Sequence, residues 1–168
     1  MATVTFHGDN IQTSGTLPKT GTKAPDFKLT DTKLGSKSLS DYSDKKVVLN
    51  IFPSIDTGVC AASVRKFNEE ANKLENTTVL CISRDLPFAL NRFCAAEGLE
   101  NVVSLSDFKD GNFGKTYGVD FTNGPLQSLL SRSVVVVNQK GDVVYTEQVA
   151  ETGDEPNYKA ALKALMDA

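Results

Sequence analysis

Apolar and polar residues follow each other along the chain in patterns typical of short strands and amphipathic helices. The clearest apolar run is residues 47–52 (VVLNIF), ended by Pro53, and a second one follows at residues 79–82 (VLCI). Between them, apolar residues recur at helical spacing up to about Leu74. This pattern predicts a β-α-β unit, with two parallel strands buried on both faces and joined by a right-handed crossover.

The rest of the chain gives weaker but consistent signals. They predict an opening hairpin, with strands 3–6 and 11–14 around the turn 7–10, then an irregular stretch at 15–25 and a short strand at 27–30. A helix is expected at 87–97, with Leu86, Leu90 and Phe93 inward and Gly98 as its stop, followed by a weak strand at 102–105 and a short helix at 112–117 closed by Gly118. After these we expect a hairpin of 134–137 and 143–145 and a last helix that begins at Pro156, whose apolar face is formed by Tyr158, Ala161, Leu162 and Leu165. The fold class is therefore α/β, and we expect one domain over residues 1–168.

Composition narrows the function without naming it. The 168 residues carry a net charge of −3, and neutralising phosphates needs a surplus of Lys and Arg, so we expect no nucleic-acid partner. No apolar run approaches the ~18 residues of a membrane span. The first ten residues lack the basic and apolar regions of a signal peptide, and we expect a cytoplasmic protein.

The rare residues exclude several kinds of site. The chain has one histidine, His7, and three cysteines, Cys60, Cys81 and Cys94, with no C-x-x-C spacing. This set argues against histidine-dependent catalysis, against a zinc site or any other metal, and against a thioredoxin-type reductase. Any catalysis is therefore expected to use cysteine without histidine and without a cofactor.

Cys60 is the best candidate nucleophile. It falls in the first turn of the helix after the strand that ends at Phe52, with Thr57 as the expected N-cap. Unpaired N–H groups and the helix dipole favour a thiolate there. The Thr57 hydroxyl lies three residues earlier on the same helical face, within reach of the sulfur. The alternative is that Cys60 is simply a small packing residue.

The other two cysteines and one arginine have alternative interpretations. Cys81 lies inside an apolar strand, where a buried thiol is inert. Cys94 lies about 12 Å along the helix that starts at the same sheet edge as Cys60, so we expect the two to be near but not bonded unless that helix unwinds; alternatively Cys94 packs beside Phe93. Arg132 precedes a strand whose start reaches this edge if the strand is antiparallel, where its guanidinium would stabilise a thiolate; otherwise it is a surface residue.

Residues 53–60 (PSIDTGVC) fit the P-x-x-x-T-x-x-C pattern of the peroxiredoxins. The longer stretch of residues 50–68 closely resembles the bacterial thiol peroxidase subgroup, the atypical two-cysteine peroxiredoxins. The segments LCIS at 80–83, DLPFA at 85–89 and RFC at 92–94 fit it as well, and the resemblance spans nearly the whole chain.

The resemblance implies a thioredoxin-like fold, a central mixed sheet flanked by helices with an N-terminal β-hairpin, and the reduction of hydroperoxides. It matches Cys60 to the peroxidatic cysteine and Cys94 to the resolving one, which form an intramolecular disulfide that thioredoxin recycles. It matches Pro53 to a residue that shields the thiolate, and Thr57 and Arg132 to residues that position the peroxide.

Further expectations follow from the same resemblance. The subgroup forms homodimers and tends to prefer alkyl hydroperoxides, and Ile55, Phe88 and Leu126 are candidates for apolar pocket walls. Cys81 matches a dispensable cysteine. The sequence leaves two other functions open. One is a redox-sensing interaction protein that uses the same disulfide as a switch. The other is a nucleotide-binding module suggested by the GKT sequence at 114–116, which lacks the earlier glycine of a P-loop.

Overall fold

A mixed sheet of seven strands forms the centre of the protein in the computed structural model, which describes residues 1–168. The strands are β1 (Thr3–Phe6), β2 (Asp9–Gln12), β3 (Lys28–Asp31), β4 (Ser36–Ser38), β5 (Lys46–Ile51), β6 (Thr77–Ser83), β7 (Val103–Ser106), β8 (Ser133–Val137) and β9 (Val143–Gln148); the helices are α1 (Gly58–Ala71), α2 (Pro87–Glu97), α3 (Asn112–Tyr117) and α4 (Tyr158–Asp167), with a 3-10 turn at Leu39–Tyr42. Strands β1 and β2 form a separate hairpin, and the central sheet has the order β4-β3-β7-β6-β5-β8-β9.

Strand β5 is the central element that positions the candidate site. It pairs in parallel with β6, from Lys46 opposite Thr77 to Ile51 opposite Ile82, and antiparallel with β8, with Ile51 opposite Ser133. Five of its six residues are buried, as expected for a strand covered on both faces. The predicted β-α-β unit and the antiparallel direction of β8 are both confirmed.

The two faces of the sheet carry separate apolar cores. One, here called the front face, packs side chains such as Val48, Val79 and Val134 against α1, α2 and α4. The back face packs Leu49, Leu80 and Val135 against α3 and the irregular N-terminal segment. Alternate residues of each strand point to opposite faces, which is why neighbours such as Val48 and Leu49 belong to different cores.

The N-terminal hairpin turns through only two residues, His7 and Gly8, both with positive φ (51° and 87°). Such a turn matches the right-handed twist of the strands, and it moves the second strand to residues 9–12 from the expected 11–14. His7 is exposed, and its ring lies 4.1 Å from that of Phe6. The hairpin joins the end of β9 through hydrogen bonds from Thr5 N to Ala150 O and from Thr152 N to Thr5 O, both 2.8 Å.

Two further details of the sequence prediction were wrong. Leu86 does not point inward: it is the N-cap of α2 and is 52% exposed, because the inward stripe begins only once the helix has begun. The last helix begins at Tyr158 and not at Pro156, because the Asn157 side chain accepts a hydrogen bond from Ala160 N (3.0 Å) and caps the helix there. None of the helices combines the length and apolar character that a membrane crossing requires.

Candidate active site

Cys60 is the third residue of α1 and is completely buried. Thr57 is the N-cap, with extended backbone (φ −95°, ψ 145°), and the first intrahelical hydrogen bond runs from Ala61 N to Thr57 O. The N–H groups of the three residues before Ala61, including that of Cys60, therefore have no partner within the helix. Their partial positive charge favours a negative charge at the Cys60 sulfur.

The turn that leads into α1 is ordered by Ser54. Its carbonyl accepts from Thr57 N (3.2 Å) and from the Thr57 hydroxyl (3.0 Å). Thr57 is thus the N-cap by its backbone, as expected, but its side chain turns back to the preceding loop and not onto the helix N–H groups. Pro53 is buried beneath this turn at the end of β5.

Arg132 lies at the same edge of the sheet. The register of β5 and β8 places it opposite Phe52, and it is only 3% exposed, so it is not a surface residue. Its Nε donates to Thr152 O at 3.0 Å, whereas its Nη1 is buried with no hydrogen-bond partner in the protein. A buried N–H group of a cation without a partner is rare, and it suits an oxygen atom of a bound molecule.

Tyr158 lies near this site, although the sequence indicated only a core residue. Its hydroxyl donates to Glu155 at 2.9 Å. Burial and this hydrogen bond raise the pKa of the Tyr158 hydroxyl, the positive charge of Arg132 lowers it, and the charge of Cys60 raises it. The phenol, the guanidinium and the thiol are therefore close enough to influence one another electrostatically.

Asp85 connects the turn before α1 to the end of β6, and sequence reasoning did not single it out. Its carboxylate accepts from Ser54 Oγ (2.8 Å), from Ile55 N (2.7 Å) and from Ser83 Oγ (2.6 Å). The only signal in the sequence was a carboxylate directly after the strand that ends next to β5. The segment after Ser83 does lie beside the Cys60 turn, as the parallel pairing predicted.

Cys81 and Cys94 are linked by a row of polar residues on the front face. Asn50, Cys81 and Ser104 stand opposite one another on β5, β6 and β7. At one end Asn50 Nδ2 donates to Ser63 Oγ (3.3 Å), which itself donates to Cys60 O (2.8 Å). At the other end Ser104 Oγ lies 3.3 Å from Cys94 Sγ.

The three cysteines are free thiols in this structure. Cys81 is completely buried, and that burial raises the pKa of its thiol to about 12, in line with the expected inert residue. Cys94 is half-buried on α2. Its contact Ser104, on β7, lies two strands away from Asn50 of β5, or about 10 Å across the sheet.

The three residues expected to form pocket walls lie in different surroundings. Ile55 is buried in the front core. Phe88 is 65% exposed on the first turn of α2. Leu126 packs on the small third core of Val4, Ile11 and Phe121 beneath the hairpin. Ile55 and Leu126 therefore do not share one apolar cluster, and their role as pocket walls stays a prediction.

The site contains no arrangement of three or more His, Cys, Asp or Glu side chains that would hold a metal ion. Comparison with known proteins gives its family. Residues 19–162, which include all three cysteines and Arg132, match the model of the Redoxin family. This chain belongs to the Redoxin family.

Two curated relatives and one solved structure place this redoxin more narrowly. It is 56% identical to a thiol peroxidase of Corynebacterium glutamicum, over 98% of this chain and 99% of the relative. It is 53% identical to a thiol peroxidase of Mycobacterium bovis over the same shares. A peroxiredoxin-like protein from Aquifex aeolicus superimposes with a TM-score of 0.94 at 34% identity, over 99% of this chain and 97% of the other. The expected thioredoxin-like fold and the resemblance to thiol peroxidases are thereby confirmed.

Proposed function

We propose that this redoxin is a thiol-dependent peroxidase that reduces hydrogen peroxide and alkyl hydroperoxides with Cys60 as the nucleophile. The observation that carries the proposal is a buried thiol at the N-terminus of α1, at the same sheet edge as a buried arginine with a free N–H group. A site of this kind favours a thiolate and an oxygen atom side by side without any histidine.

In the first step the Cys60 thiolate attacks the terminal oxygen of the hydroperoxide. The S–O bond forms as the O–O bond breaks, and the leaving oxygen takes a proton and departs as an alcohol or, from hydrogen peroxide, as water. Cys60 is oxidised to a sulfenic acid and the peroxide is reduced by two electrons. The Arg132 Nη1 and the Thr57 hydroxyl hold the peroxide oxygens, and the buried Pro53 keeps water away from the thiolate.

In the second step the Cys94 thiol attacks the Cys60 sulfenic sulfur, a disulfide forms and water leaves. Cys94 contacts Ser104 on β7 in the thiol form, so in this mechanism α2 leaves Ser104 and unwinds before the two sulfurs meet. A thioredoxin-type dithiol then reduces the disulfide and is itself oxidised, which returns both cysteines to thiols. The structural position of Cys81 supports no part in this cycle.

We further propose that residues 1–168 act as one domain, that the protein works as a cytoplasmic homodimer, and that Ile55, Phe88 and Leu126 contact the organic part of the substrate. Exposed apolar residues near the start of α2, Leu86 and Phe88, are consistent with a partner or a substrate at this end of the molecule.

The decisive experiment follows NADPH consumption with thioredoxin, thioredoxin reductase and a hydroperoxide. We expect Cys60→Ser to abolish turnover, because a serine hydroxyl is not ionised at neutral pH. Cys94→Ser should lose turnover with thioredoxin yet still consume about one equivalent of peroxide per chain, because only the second step is lost. Cys81→Ala is the matched control, a buried cysteine whose replacement should leave turnover within about twofold of the wild type.

An unchanged rate in Cys60→Ser would sink the proposal as a whole. Normal turnover in Cys94→Ser would remove only Cys94 from the mechanism. Intact mass after one equivalent of peroxide, followed by peptide mapping, identifies which two cysteines form the disulfide.

A further inference from the structure

One carboxylate anchors the turn between β5 and α1 to the neighbouring strand. Asp85 accepts three short hydrogen bonds, two of them from consecutive residues of that turn, Ser54 Oγ (2.8 Å) and Ile55 N (2.7 Å). Hydrogen bonds to an ionised carboxylate are roughly twice as strong as neutral ones. Asp85 therefore attaches two consecutive residues of this turn to the end of β6.

We propose that Asp85 is a positioning residue for peroxide reduction, acting through Ser54 on Thr57. The inference rests on the proposed function, because it concerns the same peroxide site. Asp85 touches neither the thiol nor the peroxide in this mechanism. It holds Ser54, whose carbonyl accepts the hydrogen bond of the Thr57 hydroxyl.

The connection from Asp85 to Thr57 is continuous. The Ser54 hydroxyl donates to Asp85 and accepts from Asp56 N (3.2 Å). The Ser54 carbonyl accepts from both the N–H and the hydroxyl of Thr57. If the carboxylate is lost, the Ser54 hydroxyl and the Ile55 N–H both lose their acceptor, and the hydroxyl of Thr57 is no longer held at a fixed place.

The position of Asp85 itself is set by the sheet and not by the turn. Its Oδ2 accepts from the Ser83 hydroxyl (2.6 Å), its N–H donates to the same hydroxyl (3.2 Å), and its carbonyl accepts from the Ser106 hydroxyl (2.5 Å). Ser83 and Ser106 are completely or almost completely buried at the ends of β6 and β7. The carboxylate is thus held by residues of the sheet independently of the turn, which is what precise alignment requires.

The test compares two reactions of the same thiol. Stopped-flow kinetics gives the rate constant of Cys60 with a hydroperoxide, and peptide mass spectrometry gives its rate of alkylation by iodoacetamide at the same pH. Alkylation needs a thiolate but no aligned peroxide. We expect Asp85→Ala to lower the ratio of the peroxide rate constant to the alkylation rate constant about 10- to 100-fold. A misplacement of the Thr57 hydroxyl by about 1 Å can slow an aligned reaction by up to about 100-fold. Ser54→Ala should lower this ratio about 10-fold.

A double variant shows whether the two residues act as one unit. Because they share one hydrogen bond, Asp85→Ala with Ser54→Ala should lose no more than Asp85→Ala alone. Asp85→Asn keeps the shape and one acceptor oxygen, and it should fall between the wild type and Asp85→Ala even if the alanine variant folds poorly. Asp56→Ala is the matched control, because it removes an exposed carboxylate of the same turn whose contact is with Arg92 alone (3.4 Å).

The outcomes separate the two proposals. If both rate constants fall equally in Asp85→Ala and Asp85→Asn, or if neither changes, Asp85 is a structural residue only and the inference is wrong. If Asp56→Ala lowers the ratio as far as Asp85→Ala does, the effect is one of charge and the inference is again wrong. Peroxide reduction that survives Cys60→Ser would instead contradict the proposed function.

Discussion

Single residues show how the same side chain acquires different chemistry in one small protein. Cys60 and Cys81 are both completely buried, and both belong to the front core. Cys60, however, lies in the first turn of α1, where backbone N–H groups have no partner within the helix, whereas Cys81 lies mid-strand, where burial raises the pKa of its thiol and the amide of Asn50 lowers it only in part. We therefore expect the thiol at the helix end to be the reactive one and the thiol within the strand to be inert.

The raised pKa of Cys81 predicts a loss of stability in alkali. Below the unfolded value of 9.0 the thiol is protonated in both states and has no effect; above it the unfolded chain releases a proton that the native protein retains up to a pKa of about 12. Stability thus falls as pH rises from 9 towards 12. Between pH 8 and pH 10 the wild type should lose about 1.4 kcal/mol more free energy of unfolding than Cys81→Ala.

Urea unfolding under reducing conditions at the two pH values measures this difference. Equal losses in the wild type and in Cys81→Ala would show that the Cys81 thiol ionises in the native protein as easily as in the unfolded chain. Each protein serves as its own reference, so the cavity left by alanine does not enter the comparison.

At the scale of elements, α2 is a helix with clearly marked ends but few buried residues. Pro87 begins it, and Gly98 ends it in a left-handed conformation (φ 66°) that only glycine adopts without strain. Of its residues, only Pro87 and Leu90 are buried. Few buried apolar residues mean that little free energy opposes its local unfolding.

Oxidation should therefore unfold α2 and leave its neighbours folded. We expect amide hydrogen exchange over residues 87–97 to become about 10-fold faster or more when the disulfide between Cys60 and Cys94 forms, because Cys94 then gives up its contact with Ser104 and α2 has few buried residues to hold it. Strand β5 is the internal control, since all of its contacts remain. Unchanged protection of α2 in a protein whose disulfide has been mapped would mean that the two cysteines meet by another movement.

The elements that were correct in advance are those whose limits are set by local chemistry. The limits of α2 and α3 follow from Pro87, Gly98 and Gly118, and the position of Cys60 follows from Thr57 as the N-cap. The start of α4 was wrong because Asn157 competed with Pro156 as the signal, and only the fold decides between them. Asp85 and Tyr158 were missed because the residues near them at the site are distant in the chain. Asp85 meets Ser54 and Ile55, which precede it by 31 and 30 residues. Tyr158 lies on α4, whereas Cys60 lies on α1.

At the scale of the whole molecule, one carboxylate joins the N-terminal hairpin to the segment that follows β9. Glu151, just after β9, accepts from Thr5 Oγ1 (2.6 Å), His7 N (3.1 Å), Gly8 N (3.3 Å) and Gly153 N (3.1 Å). The hydrogen bond from Thr5, followed by those from the three backbone N–H groups, lowers the pKa of Glu151 to about 2. The hairpin is thus attached to the main sheet by charge as well as by its small apolar core.

This attachment should weaken in acid and in a variant without the charge. A carboxyl whose pKa is lowered stabilises the fold above its ordinary value of 4.5, and this contribution is lost as pH falls from 4.5 towards 2. In NMR spectra the Gly8 and Gly153 amide shifts should titrate with a midpoint of about 2. Glu151→Gln should speed hydrogen exchange at Thr5 and Thr152 about fivefold. A midpoint near 4.5 would contradict the assignment.

The contact between Cys94 and Ser104 holds α2 to the sheet only weakly at this point. At Cys94, α2 meets a hydroxyl of β7 and not a methyl group, so water can replace this contact at little cost. An apolar side chain in place of Ser104 would bind α2 more tightly at that point, and Cys94 would leave the sheet more slowly. Under the proposed mechanism, the thiol that has to move therefore rests on a polar contact and not on an apolar one.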